Sequence, residues 1–230
     1  MTIIEILKGG LVVSCQPVDG GPMDQPIIIA AMALAAEAGG ANGLRIEGIE
    51  NLKAVRSQTA LPIIGIIKRD LDDSEIRITP YLQDVDGLAA AGADIIAYDA
   101  TTRARPVDTE VLIKAIKTAG CLVMADCATI EDGKKAKQEG ADILGTTLSG
   151  YAYEIAPSDA APNFDLIEQF KSLGNFVMAE GRFNSPELAG KAIAAGADCV
   201  TVGSAITRIE HIAGWFAKSI SENKESNPRD

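Results

Sequence analysis

The 230 residues carry a net charge of −11, and 47% of them are hydrophobic. Such a negative field repels nucleic acid and anionic membranes, and no Lys/Arg-rich patch reverses it locally, so we expect neither as a partner. The longest apolar run, residues 27–36, is too short to span a bilayer, and Glu5 interrupts an apolar start that lacks the charged segment of a signal peptide.

Short β-branched stretches alternate with alanine-rich stretches of helical period along the whole chain. The sequence predicts strands at residues 11–16, 43–48, 62–68, 94–100, 121–127, 142–147, 176–181 and 199–204. It predicts helices near residues 26–39, 50–58, 81–91, 108–119, 130–139, 165–173, 185–195 and 211–222. A short helix at about 2–9 and a polar tail at about 222–230 complete a single predicted domain over residues 1–230.

A weak internal repeat marks three of the helix–strand junctions. AGAD occurs at residues 91–94 and 195–198, and EGAD occurs at residues 139–142. In each copy we expect the glycine to end a helix in a left-handed cap and Ala-Asp to lead into the next strand. The copies are spaced by roughly two βα units, if one unit takes about 25–30 residues.

Eight βα units without a break in composition predict a single (β/α)8 TIM barrel. A doubly wound parallel sheet is the alternative. That fold would usually show fewer strands and one glycine-rich dinucleotide fingerprint, and the sequence contains neither that fingerprint nor a P-loop.

The cysteine and histidine content limits the chemistry. None of the cysteines forms a C-x-x-C pair, and each stands in an apolar, strand-like context: Cys15, Cys121, Cys127 and Cys199. This pattern is typical of reduced, buried cysteines in a cytoplasmic protein. Because His211 is the only histidine, the sequence predicts no metal site, and acid–base work falls mainly to Lys, Asp or Glu.

Polar residues stand at the carboxyl ends of all eight predicted strands, where a barrel of this kind places its functional groups. The set comprises Gln16, Arg45, Glu47, Lys68, Asp99, Asp126, Thr146, Thr147, Glu180 and Ser204. Lys68 continues an alternating apolar row with Ile64 and Ile66, and Asp126 and Glu180 end similar rows. A single such residue is often a solvated rim residue, but polar groups at every strand end favour a shared pocket.

The last two strands lead into glycine-containing loops. EGRF at residues 180–183 and VGSAITR at residues 202–208 follow strands seven and eight, whose loops often bind phosphate in barrels. Gly181 and Gly203 would let the backbone approach an anion, and Arg208 could supply a countercharge. Tight turns are the alternative explanation for either glycine alone, but their pairing favours phosphate.

Eight motifs spread over nearly the whole chain carry a resemblance to a known family. They are SCQP at residues 14–17, RIEG at 45–48, PIIGIIKRDLDDSEIRIT at 62–79, DATTRARP at 99–106, ADC at 125–127, GTTLSGY at 145–151, AEGRFNSPE at 179–187 and VGSAITR at 202–208. From about Gly10 to Phe216 the chain closely resembles N-acetylmannosamine-6-phosphate 2-epimerases. The resemblance implies a cofactor-free barrel enzyme of bacterial sialic acid catabolism that interconverts N-acetylmannosamine 6-phosphate and N-acetylglucosamine 6-phosphate.

The same resemblance implies roles for individual positions. The implied catalytic residues are Lys68 and Glu180. The implied substrate-binding residues are Gln16, Arg45, Asp126, Thr146 and Tyr151. The implied phosphate-binding residues are Gly181, Arg182, Gly203, Ser204 and Arg208. It further implies a phosphorylated N-acetylhexosamine as substrate and a homodimer. Many relatives have proline after the AITR arginine, whereas this chain has Ile209-Glu210-His211, a departure at the start of the last helix.

The implied reaction inverts C2, whose proton is acidic because it lies next to the open-chain aldehyde. We expect Lys68 to be the principal proton-transfer residue, and Glu180 either to serve the opposite face or to steer protons during ring opening. Burial would lower the pKa of Lys68, whereas Glu47, Asp126 or Glu180 nearby would raise it. The sequence leaves this balance open.

Other functions stay open at this point. A Schiff-base aldolase could use the same lysine. A metal-dependent pentulose-phosphate epimerase is poorly supported because such sites rely on imidazole. A barrel that senses a sugar phosphate without turnover is a third alternative. On the last helix, His211, Trp215 and Phe216 share a face that either packs onto the barrel or forms a dimer contact.

Overall fold

Eight parallel strands close into a barrel in which neighbours along the chain are neighbours in the sheet. The computed structural model describes residues 1–153, 156 and 160–225. The strands are β1 (Leu11–Ser14), β2 (Gly43–Glu47), β3 (Ile63–Ile66), β4 (Ile95–Asp99), β5 (Leu122–Asp126), β6 (Ile143–Gly145), β7 (Phe176–Glu180) and β8 (Cys199–Val202). Pairing of β1 with β8 completes the ring, which confirms the predicted (β/α)8 barrel and excludes the doubly wound sheet.

Helices alternate with these strands and surround the barrel. The described helices are α1 (Ile3–Leu7), α2 (Pro26–Ala38), α3 (Ile49–Arg56), α4 (Leu82–Ala90), α5 (Thr109–Thr118), α6 (Ile130–Glu139), α7 (Phe164–Leu173), α8 (Pro186–Ala194), α9 (Ser204–Thr207) and α10 (Ile209–Glu225). The N-terminal helix is shorter than predicted, and the Thr2 hydroxyl caps it. The last helix is longer than predicted. Residues 226–230, which belong to the predicted polar tail, lie outside the described residues.

Two separate layers of apolar side chains form the core. The inner layer fills the barrel with residues such as Ile64, Ile66, Met124 and Met178, and Leu7 of α1 joins it. The outer layer lies between the sheet and the helices. Since Ile64, Met124 and Met178 face inward, the rows that lead to Lys68, Asp126 and Glu180 are the inward rows, a point that the sequence left open.

Strand β3 ends at Ile66, two residues earlier than predicted, because the following loop folds back on it. The Thr79 N–H donates to the Ile67 carbonyl at 2.7 Å, and Lys68 pairs with Ile78 in an isolated antiparallel bridge. Lys68 is therefore held by a short hairpin above the strand end. Backbone pairing on this second side limits where its side chain can go.

The three repeat motifs lie at the amino end of the barrel. Their glycines end helices with φ of +94° at Gly92, +98° at Gly140 and +103° at Gly196, as predicted. Each repeat aspartate also accepts a backbone N–H of the preceding strand, as when Asp142 Oδ2 accepts from Val123 at 2.8 Å. The motif therefore ties each helix end to two neighbouring strands.

The last helix differs from the others because it packs chiefly on α9 and leaves apolar side chains in solvent. Trp215 is 42% exposed and Phe216 is 68% exposed, so the face they were expected to share is not packed onto the barrel. All four cysteines are free and buried, as predicted. In the described part of the chain, no helix combines the length and apolar character needed to cross a membrane.

Candidate active site

A cavity of about 440 Å³ opens at the carboxyl end of the barrel. Its size falls within the range typical of small-molecule sites. Ten of the twelve site residues predicted from the sequence line it, namely Gln16, Arg45, Lys68, Tyr151, Glu180, Gly181, Arg182, Gly203, Ser204 and Arg208. Asp126 and Thr146 are not among the lining residues. Residues that are distant in sequence therefore converge on one pocket, as the strand-end pattern predicted.

Arg45 lies at the base of this cavity, between two carboxylates. Its side chain is 1% exposed, and its Nη2 lies 2.7 Å from Asp126 Oδ2 while its Nη1 lies 3.1 Å from Glu180 Oε2. Burial alone would lower the pKa of Arg45, but the Asp126 and Glu180 carboxylates outweigh burial and raise it. Arg45 is therefore a permanent cation in a fixed orientation.

Asp126 is fully buried behind Arg45 and positions it. Its Oδ1 accepts from Arg45 Nη1 at 3.1 Å and from the Thr147 hydroxyl at 2.6 Å. Two Arg45 nitrogens thus engage both oxygens of one carboxylate, a geometry that fixes the guanidinium plane. Asp126 therefore contacts Arg45 and Thr147 and does not line the cavity itself.

Glu180 has the environment of a proton-transfer group. Burial, helped by the neighbouring Asp126, raises the pKa of Glu180 to about 7, although Arg45, the polar side chain of Thr147 and Lys68 oppose the rise. Near neutral pH both the carboxylic acid and the carboxylate are then populated. A group of this kind can either donate or accept a proton at little cost.

The pKa of Lys68 is shifted in the opposite direction to that of Glu180. Burial lowers the pKa of Lys68, and the nearby Arg208 and Arg45 lower it further, whereas Asp19 and Glu47 raise it. The lowering effects win, which resolves the balance that the sequence left open. Lys68 is therefore more readily available as a neutral amine than an exposed lysine is.

The two threonines after β6 have different surroundings. The Thr146 hydroxyl donates to the Glu180 carbonyl at 2.8 Å and accepts the Glu180 N–H at 3.0 Å, so it joins β6 to β7 outside the cavity. Thr147 lines the cavity instead. Thr147 shares the inward parity of Ile143 and Gly145, so counting in steps of two from the buried strand could have selected it.

Another strand-end residue, Asp99, also lies away from the cavity. It is 1% exposed, accepts from the Thr101 hydroxyl at 2.6 Å and pairs with Arg103 Nη2 at 2.8 Å. Burial raises the pKa of Asp99 from its ordinary value. Local hydrogen bonds therefore satisfy this carboxylate, and it supports the loop after β4.

Positively charged side chains outnumber negatively charged ones on the cavity wall. Among the lining residues, Arg45, Lys68, Arg182 and Arg208 face a single carboxylate, that of Glu180. Arg208 is anchored because its Nε donates to the Gln16 carbonyl at 2.9 Å. The cavity thus suits an anion even though the whole chain carries a net charge of −11.

The loop after β7 has an unusual backbone. Gly181 has a φ of +106° and Arg182 a φ of +61°, so two consecutive residues occupy the left-handed half of conformational space. The Arg182 guanidinium lies over the Tyr151 ring, 5.1 Å from its centroid. Arg182 Nε also donates to the Ala161 carbonyl at 3.4 Å, so this contact and the tyrosine ring together hold the arginine at the cavity wall.

Several lining residues were missed by the sequence analysis, most notably Thr201, His211 and Trp215. Thr201 is buried, and its hydroxyl has no partner among the described residues, which leaves it free for a ligand. Parity with Cys199 could have indicated Thr201. His211 and Trp215 come from α10, and no strand-end pattern predicts a contribution from that helix.

Comparison with known proteins decides the family. Residues 29–222 match the sequence model of NanE, described as "Putative N-acetylmannosamine-6-phosphate epimerase". The chain belongs to the NanE family. It is 61% identical over 227 residues to the "Putative N-acetylmannosamine-6-phosphate 2-epimerase" of Aliivibrio fischeri, covering 99% of this chain and 96% of that protein. A relative of the same name from Haemophilus influenzae is 57% identical over 218 residues, covering 95% of each chain.

A solved structure supports membership of the NanE family. The N-acetylmannosamine-6-phosphate 2-epimerase from Clostridium perfringens superposes with a TM-score of 0.90 at 40% identity, covering 95% of this chain and 96% of that one. The thiamine phosphate pyrophosphorylase of Pyrococcus furiosus, at 20% identity and a TM-score of 0.62, shares only the barrel fold. The resemblance found in the sequence motifs is therefore confirmed.

Proposed function

We propose that this NanE-family chain inverts C2 of N-acetylmannosamine 6-phosphate to give N-acetylglucosamine 6-phosphate. The observation that carries the proposal is the pairing of Lys68 and Glu180 on one cavity, with the pKa of the amine lowered and the pKa of the carboxyl raised to about 7. A reaction that removes and returns one proton needs such a pair near neutral pH. The names of the relatives supply the substrate.

The phosphate group binds at the end of the cavity formed by the loops after β7 and β8. Arg208 and Arg182 provide the charge, and the backbone of Gly181, Gly203 and Ser204 provides N–H donors. Because guanidinium groups match phosphate oxygens in pairs, this end orients the substrate with its C6 side toward the β7 and β8 loops. The reacting C2 then lies toward Lys68 and Glu180.

The proton transfer uses the two neutral forms that burial favours. The Lys68 amine removes the C2 proton of the open-chain sugar, and the protonated Glu180 delivers a proton to the opposite face. Each positioned acid–base group contributes about 10²–10⁴ in rate. In the reverse reaction the two groups exchange roles, as microscopic reversibility requires.

Arg45 stabilises the negative charge that develops on the C1 oxygen when C2 loses its proton. It is already oriented by Asp126 and cannot lose its charge, so no reorganisation is needed at the moment of reaction. Gln16, Tyr151 and Thr147 line the same cavity and bind the hydroxyl and N-acetyl groups. Thr146 and Asp126 act through Glu180 and Arg45, the groups they contact.

An NMR time course in deuterated water tests the proposal. The protein is incubated with N-acetylmannosamine 6-phosphate, and we expect N-acetylglucosamine 6-phosphate to form with deuterium at C2. Unphosphorylated N-acetylmannosamine is the matched control and should react far more slowly. Borohydride trapping of a substrate adduct on Lys68, without epimerisation, would instead establish the Schiff-base aldolase.

The proposal includes the homodimer and the cytoplasmic location expected from the sequence. Helix α10 exposes Ile209, Trp215, Phe216 and Ile220, more apolar surface than an isolated helix normally leaves in solvent. A second copy of the chain is the partner that would cover this face. Light scattering should give a dimer for the wild type and a monomer for Phe216→Asp, and a monomeric wild type would overturn this part.

A further inference from the structure

Lys68 lies between two cavities. The front cavity is the candidate active site, and a smaller one lies behind it, toward the loop after β1. Lys68 and Gln16 line both, so they form the wall that separates them. The rear cavity offers about 10 Å³ to the centres of water molecules, which is room for about one ordered water.

The two cavities present different charges to Lys68. The front cavity combines Arg45 and Arg208 with the carboxyl group of Glu180, whereas the charged partners in the rear one are the carboxylates of Asp19, Asp24 and Glu47. Asp19 and Asp24 are exposed, so this acidic side reaches solvent. A cation formed on Lys68 therefore meets two arginines and one carboxyl group at the front, and is attracted by carboxylates toward the rear.

The contacts of Lys68 leave its amine available to both sides. Within the described ranges, no side chain lies within hydrogen-bond or ion-pair distance of Lys68 Nζ. Glu47 is held beside the base of Lys68 because its Oε1 accepts the Lys68 backbone N–H at 3.3 Å. Asn51 Nδ2 in turn donates to the Glu47 carbonyl at 2.8 Å.

We propose that the rear cavity is the route by which Lys68 exchanges protons with solvent while substrate fills the front cavity. This rests on the proposed proton-transfer role of Lys68. When the amine takes the C2 proton it becomes an ammonium, which passes one of its three protons to the rear water. That water passes a proton to the Asp19 or Glu47 carboxylate and so to bulk solvent, and the reverse sequence returns a solvent proton.

Isotope exchange during the reaction tests this route. Protiated N-acetylmannosamine 6-phosphate is converted in deuterated water and the reaction is stopped early. Deuterium at C2 is measured in the residual substrate, which Lys68 reprotonates, and the product, which Glu180 protonates, is the internal reference. With the route open, every proton that Lys68 returns to the sugar comes from solvent. With the route closed, the ammonium keeps one substrate proton among three, so protium returns in about one event in three.

The double variant Asp19→Asn/Glu47→Gln closes the route while keeping the shape of the side chains. The single variant Asp19→Asn changes one exposed position and leaves the Glu47 carboxylate in place. We expect epimerisation to continue while deuterium per Lys68 reprotonation falls to about two thirds. The control Asp72→Asn removes an exposed carboxylate from the loop after Lys68 without touching the rear cavity, and should exchange like wild type.

The outcomes separate this inference from the function on which it rests. Wild-type exchange in the residual substrate of the double variant would overturn the rear route and leave the epimerase function intact. A wild-type protein that does not epimerise the substrate overturns the function itself. Full exchange in Lys68→Ala overturns the role of the lysine, and with it the route.

Discussion

The two ends of the barrel use the same residue types for different purposes. At the amino end, Asp94, Asp142 and Asp198 each accept a strand N–H, and Arg56 and Lys171 pair with two of them. At the carboxyl end, Glu180 is half-buried beside another carboxylate, and Lys68 is half-buried near two arginines.

The two ends differ in what the partners of each charged group do to its charged form. A carboxylate that accepts a backbone N–H at a strand start stabilises the fold, because it gives a buried donor its hydrogen-bond partner. A carboxyl or amine whose partners disfavour the charged form has a shifted pKa and can move a proton near neutral pH. Changes at the carboxyl end should therefore reduce activity and leave stability intact, and changes at the amino end should do the reverse.

The largest expected effect comes from Lys68→Ala. Removal of the proposed base should lower kcat by about 10²–10⁴ while the melting temperature stays near that of wild type. Coupled detection of N-acetylglucosamine 6-phosphate measures the rate. Lys68→Arg keeps a cation that cannot act as a base, so it should be equally inactive; activity in the arginine variant would contradict the base role.

Next in size is the effect of Glu180→Gln, which should lower kcat by about 10²–10³ and change the pH profile. Since the raised pKa of Glu180 lies at about 7, the protonated fraction of Glu180 changes most steeply there, and wild-type kcat/KM should change slope near that pH. The neutral fraction of Lys68 rises with pH and contributes a limb of opposite slope. The glutamine variant should lack the change near pH 7, and a change that persists would assign that titration to another group.

How much of this arrangement was predictable differs from residue to residue. Lys68 and Glu180 could be placed because each ends an alternating apolar row. Thr146 and Thr147 both follow strand β6, and the resemblance implied only Thr146. The inward parity of Ile143 is the one sequence signal that points to Thr147. His211 and Trp215 reach the cavity through the path of the last helix, which local patterns do not determine. The directions of the pKa shifts depend on distances between strands and needed the three-dimensional structure.

A smaller effect is expected for Arg208→Ala at the phosphate end. Because Arg208 is proposed to bind the phosphate, a part of the substrate that does not react, KM should rise about 10–100-fold while kcat changes less. Arg208 also lowers the pKa of Lys68, so its removal should move the limb of the pH profile that follows Lys68 to higher pH. Arg208→Lys keeps the charge, so that limb should return close to its wild-type pH, whereas KM should stay above the wild-type value. An unchanged KM in the alanine variant would place the phosphate elsewhere.

The smallest expected effect comes from Asp142→Ala. This variant tests the amino end of the barrel, whereas the variants above test the carboxyl end. Asp142 Oδ2 accepts the N–H of Val123, which is fully buried, so the change leaves that donor without its partner. The free energy of unfolding should fall by about 1–3 kcal/mol, measured by urea denaturation, with kcat and KM unchanged. Asp86→Ala, at an exposed position on α4, is the matched control and should stay within about 0.5 kcal/mol of wild type. Loss of activity without loss of stability in Asp142→Ala would mean that the two ends of the barrel are coupled, because the strand register set at the amino end would then determine where Asp126 and Arg45 lie.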